Sequence, residues 1–182
     1  MVNLIPVLFV HPKSNYNKFP FFDCYDEKRN SLTYSGSKPV ICHPPCRKFS
    51  RLRGLSCAPD SEKELGYWSI DLVRKNGGIV EHPHDSQLWK DKEVVKPGTI
   101  DEFGGFTFCI DQSWFGYYTP KRTILYIVGI KPKELPDYDF NRDINFRKFQ
   151  NLTKKQRSET TSDLCIFLKK IIDKINLNCG GY

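Results

Sequence analysis

Nothing in the chain reads as a repeat, a low-complexity tract or a run of apolar residues long enough to span a membrane. The apolar start, Met1 through Val10, lacks a basic leading region and stops at His11-Pro12-Lys13, so it reads as a buried strand rather than a signal or anchor. There are seven cysteines, an odd number, several of them inside apolar runs, and their spacing forms no disulfide framework. A reduced, cytoplasmic setting and a soluble protein are expected, with no membrane partner. Disorder is excluded as well, since 39% of the 182 residues are hydrophobic and 14% aromatic. That length suits one domain, or one with an appendage.

What is present begins with charge. The formal net charge is +7. Residues 141–182 hold nine Lys or Arg against four Asp or Glu, so most of the excess is C-terminal. A phosphate-bearing partner fits this balance; so does a lysine-rich solvated surface.

Residues 4–10 and 39–43 read as short buried strands, separated by a polar segment containing Asp23-Cys24-Tyr25-Asp26-Glu27. Ser61-Glu62-Lys63-Glu64 has the form of a capping box. Leu65, Trp68 and Leu72 then mark a helix face that Gly77-Gly78 ends. Ile79-Val80-Glu81 follows as a strand, and strand–helix–strand at this spacing predicts a right-handed crossover in a parallel sheet. Residues 90–105 read as a loop. Phe106–Ile110 and Ile124–Ile130 read as two strands that pair at one side of the sheet. Residues 131–160 show no clear periodicity, and an amphipathic helix spans about 162–176 with Ser162 as its N-cap.

Chemistry is expected where parallel strands end, because ligands of open α/β sheets bind beyond their carboxyl ends. Cys46 follows the strand at 39–43, in the run Cys42-His43-Pro44-Pro45-Cys46-Arg47-Lys48-Phe49-Ser50. The two prolines fix the backbone, and the cationic flank of Arg47, Lys48, Arg51 and Arg53 favours a thiolate. Glu81 ends the next strand. A thiolate with a nearby carboxyl proton donor suits covalent catalysis on an electron-poor ring, with a raised Glu81 pKa expected. A structural cysteine in a proline-rich turn and a loop-pinning acid would carry the same residues. Trp114, Phe115, Tyr117 and Tyr118 can stack on a base, although aromatics around a glycine between strands more often pack in a core. Cys42, His43, Cys46, His82 and His84 offer zinc-type ligands, but their spacing matches no standard zinc pattern, and no metal is expected.

Pro44-Pro45-Cys46-Arg47-Lys48-Phe49-Ser50 resembles the Pro-Cys-Gln-x-Phe-Ser loop of the DNA cytosine-C5 methyltransferases. Val80-Glu81-His82-Pro83 is similar to that family's Glu-Asn-Val motif, and the stretch from Asp111 to Gly129 is similar to its Tyr-Gly-x-Pro-Gln entry, arginine and Tyr-Ile-Val-Gly strand. The three occur in the family's order over roughly residues 39–130. The resemblance implies that Cys46 attacks C6 of a flipped-out cytosine, that Glu81 contacts N3, and that Arg122 contacts the base or loop. It implies S-adenosylmethionine as methyl donor, with Asp23 or Asp26 as the acidic ribose contact, and DNA held by Arg47, Lys48, Arg51, Arg53 and Lys121. The chain also resembles short phage proteins sharing the His-Pro-Pro-Cys-Arg and Glu-His-Pro stretches.

Three features depart from the family. Its Phe-x-Gly-x-Gly loop has no counterpart, since the first strand runs into Phe9-Val10-His11-Pro12-Lys13. Only about thirty residues separate that strand from Pro39, too few for two further strand–helix units. Residues 131–160 are too short for a target-recognition domain. The expectation is therefore a compact, Rossmann-like α/β core over 1–135, reduced from a methyltransferase plan. A basic segment over 136–182 ends in a helix packed on it. The expected function is cytosine-C5 modification of DNA. The other reading is an inactive nucleotide- or nucleic-acid-binding protein of the sponge or regulator kind. A third is a catalytic half that needs a partner subunit or a second copy for its cofactor.

Overall fold

The computed structural model describes residues 4–51, 53–138 and 148–179. Its strands are β1 (Ile5–Leu8), β2 (Phe22–Tyr25), β3 (Val40–Cys42), β4 (Gly78–Pro83), β5 (Phe106–Asp111) and β6 (Arg122–Val128). The helices are α1 (Glu62–Asn76), α2 (Gln87–Asp91), α3 (Lys154–Arg157) and α4 (Ser162–Cys179). The strands form one mixed sheet in the order β2-β1-β3-β4-β6-β5. Pairing is parallel from β2 through β4 and antiparallel at β4–β6 and β6–β5, so β6 alone runs against the rest.

Strand parity builds two cores. Ile5, Val7, Ile41, Ile79, Leu125 and Ile127 face one way and meet α4, whose Leu164, Phe167, Leu168, Ile171, Ile172 and Ile175 all point at the sheet. Leu8, Val40, Cys42, Val80, Tyr126 and Val128 face the other way, against Ile70 and Val73 of α1 and Leu88 and Trp89 of α2. Each such Leu or Ile contributes about 2 kcal/mol of transfer free energy when fully buried. The sheet is therefore covered on both faces, as parallel strands require.

Several expectations change. β2 is an edge strand within the segment expected to be merely polar; its alternation is weak because only Phe22 and Tyr25 are buried. Ser61 does not cap α1. The chain already turns through Pro59-Asp60-Ser61, leaving Ser61 in helical geometry, and Glu62 is buried. Gly77 ends α1 as expected, its amide bonded to the Val73 carbonyl at 2.9 Å. The 90–105 loop is entered by α2, capped by Ser86. β5 and β6 pair as the pattern placed them, although β6 runs Arg122–Val128, two residues ahead of Ile124–Ile130; α4 begins on Ser162 itself, and Thr161 in place of Ser162 accepts the Leu164 amide at 3.3 Å. Within 131–160, Pro132–Glu134 and Phe149–Asn151 form 3-10 turns, while 139–147, with Arg142, Asp143 and Arg147, lie outside the described residues.

Candidate active site at the carboxyl ends of β3 and β4

β3 and β4 are parallel neighbours, paired Cys42 to Val80; β3 stops there, while β4 runs on to Pro83, so Glu81, expected at the end of its strand, lies inside β4 paired with Leu125 of β6 and beside the residue that follows β3. His43 and Glu81 share the parity of Ile41 and Ile79 and lie on the α4 face. His43 Nδ1 meets Glu81 Oε2 at 2.9 Å. A carboxylate only accepts, so Nδ1 carries a proton; Nε2 lies within hydrogen-bond distance of the Tyr16 hydroxyl, also at 2.9 Å. The other carboxylate oxygen, Oε1, accepts from the Gln112 side-chain nitrogen at 2.8 Å, and the same nitrogen lies 3.0 Å from Thr123 Oγ1. The Glu81 and His43 side chains are 14% and 12% exposed, so both keep slight contact with solvent.

Burial alone would raise the Glu81 pKa. The His43 hydrogen bond and charge, with the Lys121 and His82 charges, outweigh it and hold the carboxyl at about 2. Glu81 is therefore an ionised acceptor at neutral pH, where a raised pKa and a proton-donor role were expected.

Cys46 shows the opposite surprise. The residue is exposed at the rim, yet its thiol pKa is raised, first by desolvation and then by the Glu81 charge, with Lys121 pulling it down. The expected arginine activation fails because those cations are spent elsewhere. Arg47 pairs with Glu62, Lys48 with Asp60 at 3.0 Å and Arg51 with Asp85 at 2.7 Å. Arg53 is exposed and donates to the Ser50 carbonyl at 3.3 Å. These pairs shape the loop and lower the free positive charge expected of it as a phosphate cradle.

The loop is well anchored. The Cys46 carbonyl accepts the amides of Phe49 and Ser50, each at 3.0 Å. Phe49 is fully buried, edge-on to His82 with ring centroids 5.5 Å apart. His82 faces the α1 layer, bonds Ser86 Oγ at 2.7 Å and has its pKa lowered to about 4, chiefly by burial. Its Nε2 closes no hydrogen bond; the carbonyls of Pro44 and Pro45 favour its protonation without outweighing burial.

Arg122 lies on the wrong face for the role that the resemblance implies. Along β6, Thr123 and Leu125 share the α4 side with Glu81, whereas Ile124 and Tyr126 pack toward α1. Arg122 has the parity of Ile124 and is exposed; its neighbour Lys121 supplies the charge felt by both Glu81 and Cys46. Of the four aromatics, Phe115 and Tyr117 are buried and Trp114 is 37% exposed. The Tyr118 hydroxyl donates to Glu159 at 3.0 Å.

The acids implied for a methyl donor do not fit that group. Asp23 is paired with Arg29. Asp26 accepts the amides of Lys28 and Arg29, each at 3.0 Å, and closes its own turn. Beyond β1, the Val10 amide bonds the Tyr25 carbonyl at 3.0 Å, and the 3-10 turn Asn15–Lys18 sets the buried Tyr16 against His43. The carboxyl end of β1, where the glycine loop would lie, is filled by side chains. The groups weighed as zinc ligands are also divided, Cys42 and His82 toward α1 and His43 toward α4. Among the described residues no three His, Cys, Asp or Glu side chains stand as a metal site.

Tyr16, Gln112 and Thr123 are members of this site that the sequence did not single out. Thr123, a buried polar residue in an otherwise apolar strand, was the available signal. No helix among the described residues is long and apolar enough to cross a membrane. No family model, curated protein or solved structure matches the chain.

Proposed function

We propose that the chain is a nucleobase-modifying protein of the cytosine-C5-methyltransferase kind, on a reduced Rossmann-like plan, acting on DNA through Cys46. The observation that carries this reading is that Cys46, in the loop after β3, and Glu81, on the neighbouring parallel strand β4, stand at one end of the sheet, where the Glu81 and Lys121 charges both act on the Cys46 thiol. They come from three stretches about 35 to 40 residues apart in sequence. Carboxyl-end placement in an open α/β sheet supports a ligand there.

The chemistry follows the ionisation states. Cys46 begins as a thiol. Its proton passes by way of the Glu81 carboxylate to ring N3 as Sγ bonds to C6. The C5=C6 π bond opens and its electron pair moves toward C5. Lys121 stabilises the developing thiolate, and His43, held by Tyr16, keeps Glu81 in place. Atoms balance without an external acid. S-adenosylmethionine remains the donor that the resemblance implies, and it would supply a methyl group to C5. The described residues offer it no cradle, so a donor held by a partner subunit or second copy belongs to the same proposal.

The experiment is incubation with a single-stranded oligonucleotide carrying one 5-azacytosine, read by intact mass. Thiol addition across C6 and N5 of that ring needs no donor. The expected product has the summed mass of protein and oligonucleotide, forms faster at pH 8.5 than at pH 7, and is absent in Cys46→Ala.

The raised Cys46 thiol and the filled end of β1 favour a second reading, a protein that binds nucleotides or nucleic acid without catalysis. Oligonucleotide binding that survives Cys46→Ala, with no adduct from the wild type, establishes that reading in place of the first.

A further inference from the structure

His82 is 1% exposed, and its Nε2 is buried without closing a hydrogen bond. Neighbours fix which ring nitrogen carries the proton. Ser86 Oγ lies 2.7 Å from Nδ1 and already accepts the Leu88 amide at 3.1 Å, so its own proton has Nδ1 as acceptor. The carbonyls of Pro44 and Pro45 also act on the ring, and with Nδ1 engaged by Ser86 they act at Nε2. A lone pair there would set acceptor against acceptor, so Nε2 carries the proton and Nδ1 takes the serine's. Phe49 and Trp89 clamp the ring edge-on, with centroids 5.5 and 5.8 Å from it. The result is a buried donor aimed at two carbonyls and bonded to neither, which calls for an explanation.

Those two carbonyls stand immediately before Cys46. Proline has no N–H, so Pro44 and Pro45 give this part of the backbone acceptors only. Among the described residues no backbone amide donates to either one. The loop is pinned further on, where the Cys46 carbonyl takes the amides of Phe49 and Ser50, and the Phe49 carbonyl takes that of Gln87 at 2.9 Å. The Pro45 oxygen belongs to the peptide plane that carries the Cys46 amide, so its direction sets how the Cys46 side chain leaves the backbone. We infer that His82 is a positioning residue for Cys46, and that its Nε2–H is the latch onto which the double-proline turn closes when a base occupies the site. This deepens the nucleobase reading and rests on it. A buried donor left open favours the small movement that closes it. Closure holds Sγ against C6 of the base, and misplacing a reacting atom by about 1 Å costs on the order of a hundredfold in rate. His82 acts on the reaction through the turn alone.

The test follows adduct formation over time by intact mass, with the full chain and an excess of the 5-azacytosine oligonucleotide at pH 8.5. Two variants separate a latch from a filler. His82→Leu keeps an apolar group between Phe49 and Trp89 and removes the donor. His82→Gln keeps an N–H donor near the place of Nε2. At saturating oligonucleotide, His82→Leu is expected to react about tenfold more slowly than the wild type, with half-saturation within about threefold. His82→Gln is expected to stay within about threefold of the wild-type rate. Urea midpoints, read beside the rates, report the packing that both variants disturb. A His82→Leu rate within about threefold of wild type overturns the inference while the nucleobase reading stands. Equal slowing of both variants also overturns it, since packing alone would explain that result. A wild type that forms no adduct sinks the nucleobase reading and takes this inference with it. Should His82→Leu not fold, His82→Asn replaces it as the slow variant, because its shorter amide reaches Ser86 and falls short of the carbonyls.

Discussion

His43 Nδ1 donates to Glu81 Oε2 at 2.9 Å, from the residue that follows β3 to one inside the adjacent parallel strand β4. This bond, with the charges of His43, Lys121 and His82, converts a buried carboxyl from a candidate acid into a fixed anion. It also gives the acid stability of the protein a definite sign. The Glu81 pKa is about 2 in the fold, against an ordinary value of 4.5. A depressed carboxyl stabilises the fold above its unfolded pKa and loses that contribution as pH falls. Unfolding midpoints in urea are expected to drop between pH 4.5 and pH 2. Glu81→Gln should flatten that drop and cost about 3 kcal/mol at pH 7, since it leaves His43 without its anion.

His82 acts in a neighbouring window. Burial holds it neutral, with a pKa near 4 against 6.5. The unfolded chain takes up a proton first, so stability is complete above pH 6.5 and declines as pH falls toward 4. The slope from this one group reaches at most about 1.4 kcal/mol per pH unit. Chemical unfolding at pH 7.5, 5.5 and 4.5 checks it, and His82→Gln should remove this part of the pH dependence.

Cys46 reports on the charges around it. Alkylation by iodoacetamide, read from the mass of the Cys46 peptide, should be slow at pH 7 and quicken with alkali, because desolvation and Glu81 raise the thiol pKa. Glu81→Gln is expected to speed it roughly threefold or more at pH 7, and Lys121→Met to slow it. Arg122→Met should leave the rate unchanged, because the arginine lies on the other sheet face. An equal effect of Lys121→Met and Arg122→Met would contradict the strand parity.

Gly78 opens β4 with φ +124, and a Cβ there would collide with the backbone carbonyl and amide of Val40, its partner in β3. Gly78→Ala should therefore cost about 3 kcal/mol or more, seen as a lowered thermal midpoint, because both the conformation and the strand contact resist a side chain. Gly98→Ala, with open space around position 98, carries only the backbone penalty and should cost less.

Much of the architecture was legible in residue order. Apolar periodicity marked β1, β3, β4, β5, β6 and α4, because each buries a continuous stripe or face; it also marked α1, but Leu65, Trp68 and Leu72 are only half-buried there, and the helix packs through Gly66, Ser69, Ile70 and Val73. β2 escaped notice, since an edge strand with two buried residues among polar ones leaves little periodic signal. The position of Cys46 beyond β3 and the parallel pairing of β3 with the strand of Glu81 were also legible, because strand direction follows from local pattern; that β4 continues past Glu81 to Pro83 was not, since its extension is set by pairing with β6. The ionisation of those two residues was not. It depends on which acids Arg47, Lys48 and Arg51 find, and those partners, Glu62, Asp60 and Asp85, lie 12 to 34 residues away in sequence and are brought close by packing.

The amino-acid sequence by itself determined an α/β chain with a cysteine loop and a glutamate at the carboxyl end of its sheet, since alternation and turn residues act over short distances. Only the tertiary structure decided what those groups are. Whether a side chain is an acid, an anion, a buried thiol or an orphaned donor depends on desolvation and on partners within a few ångströms. Tyr16, His43, Glu81, Gln112 and Thr123 become neighbours only when the parallel strands, the turn after β1 and the reversed β6 are assembled.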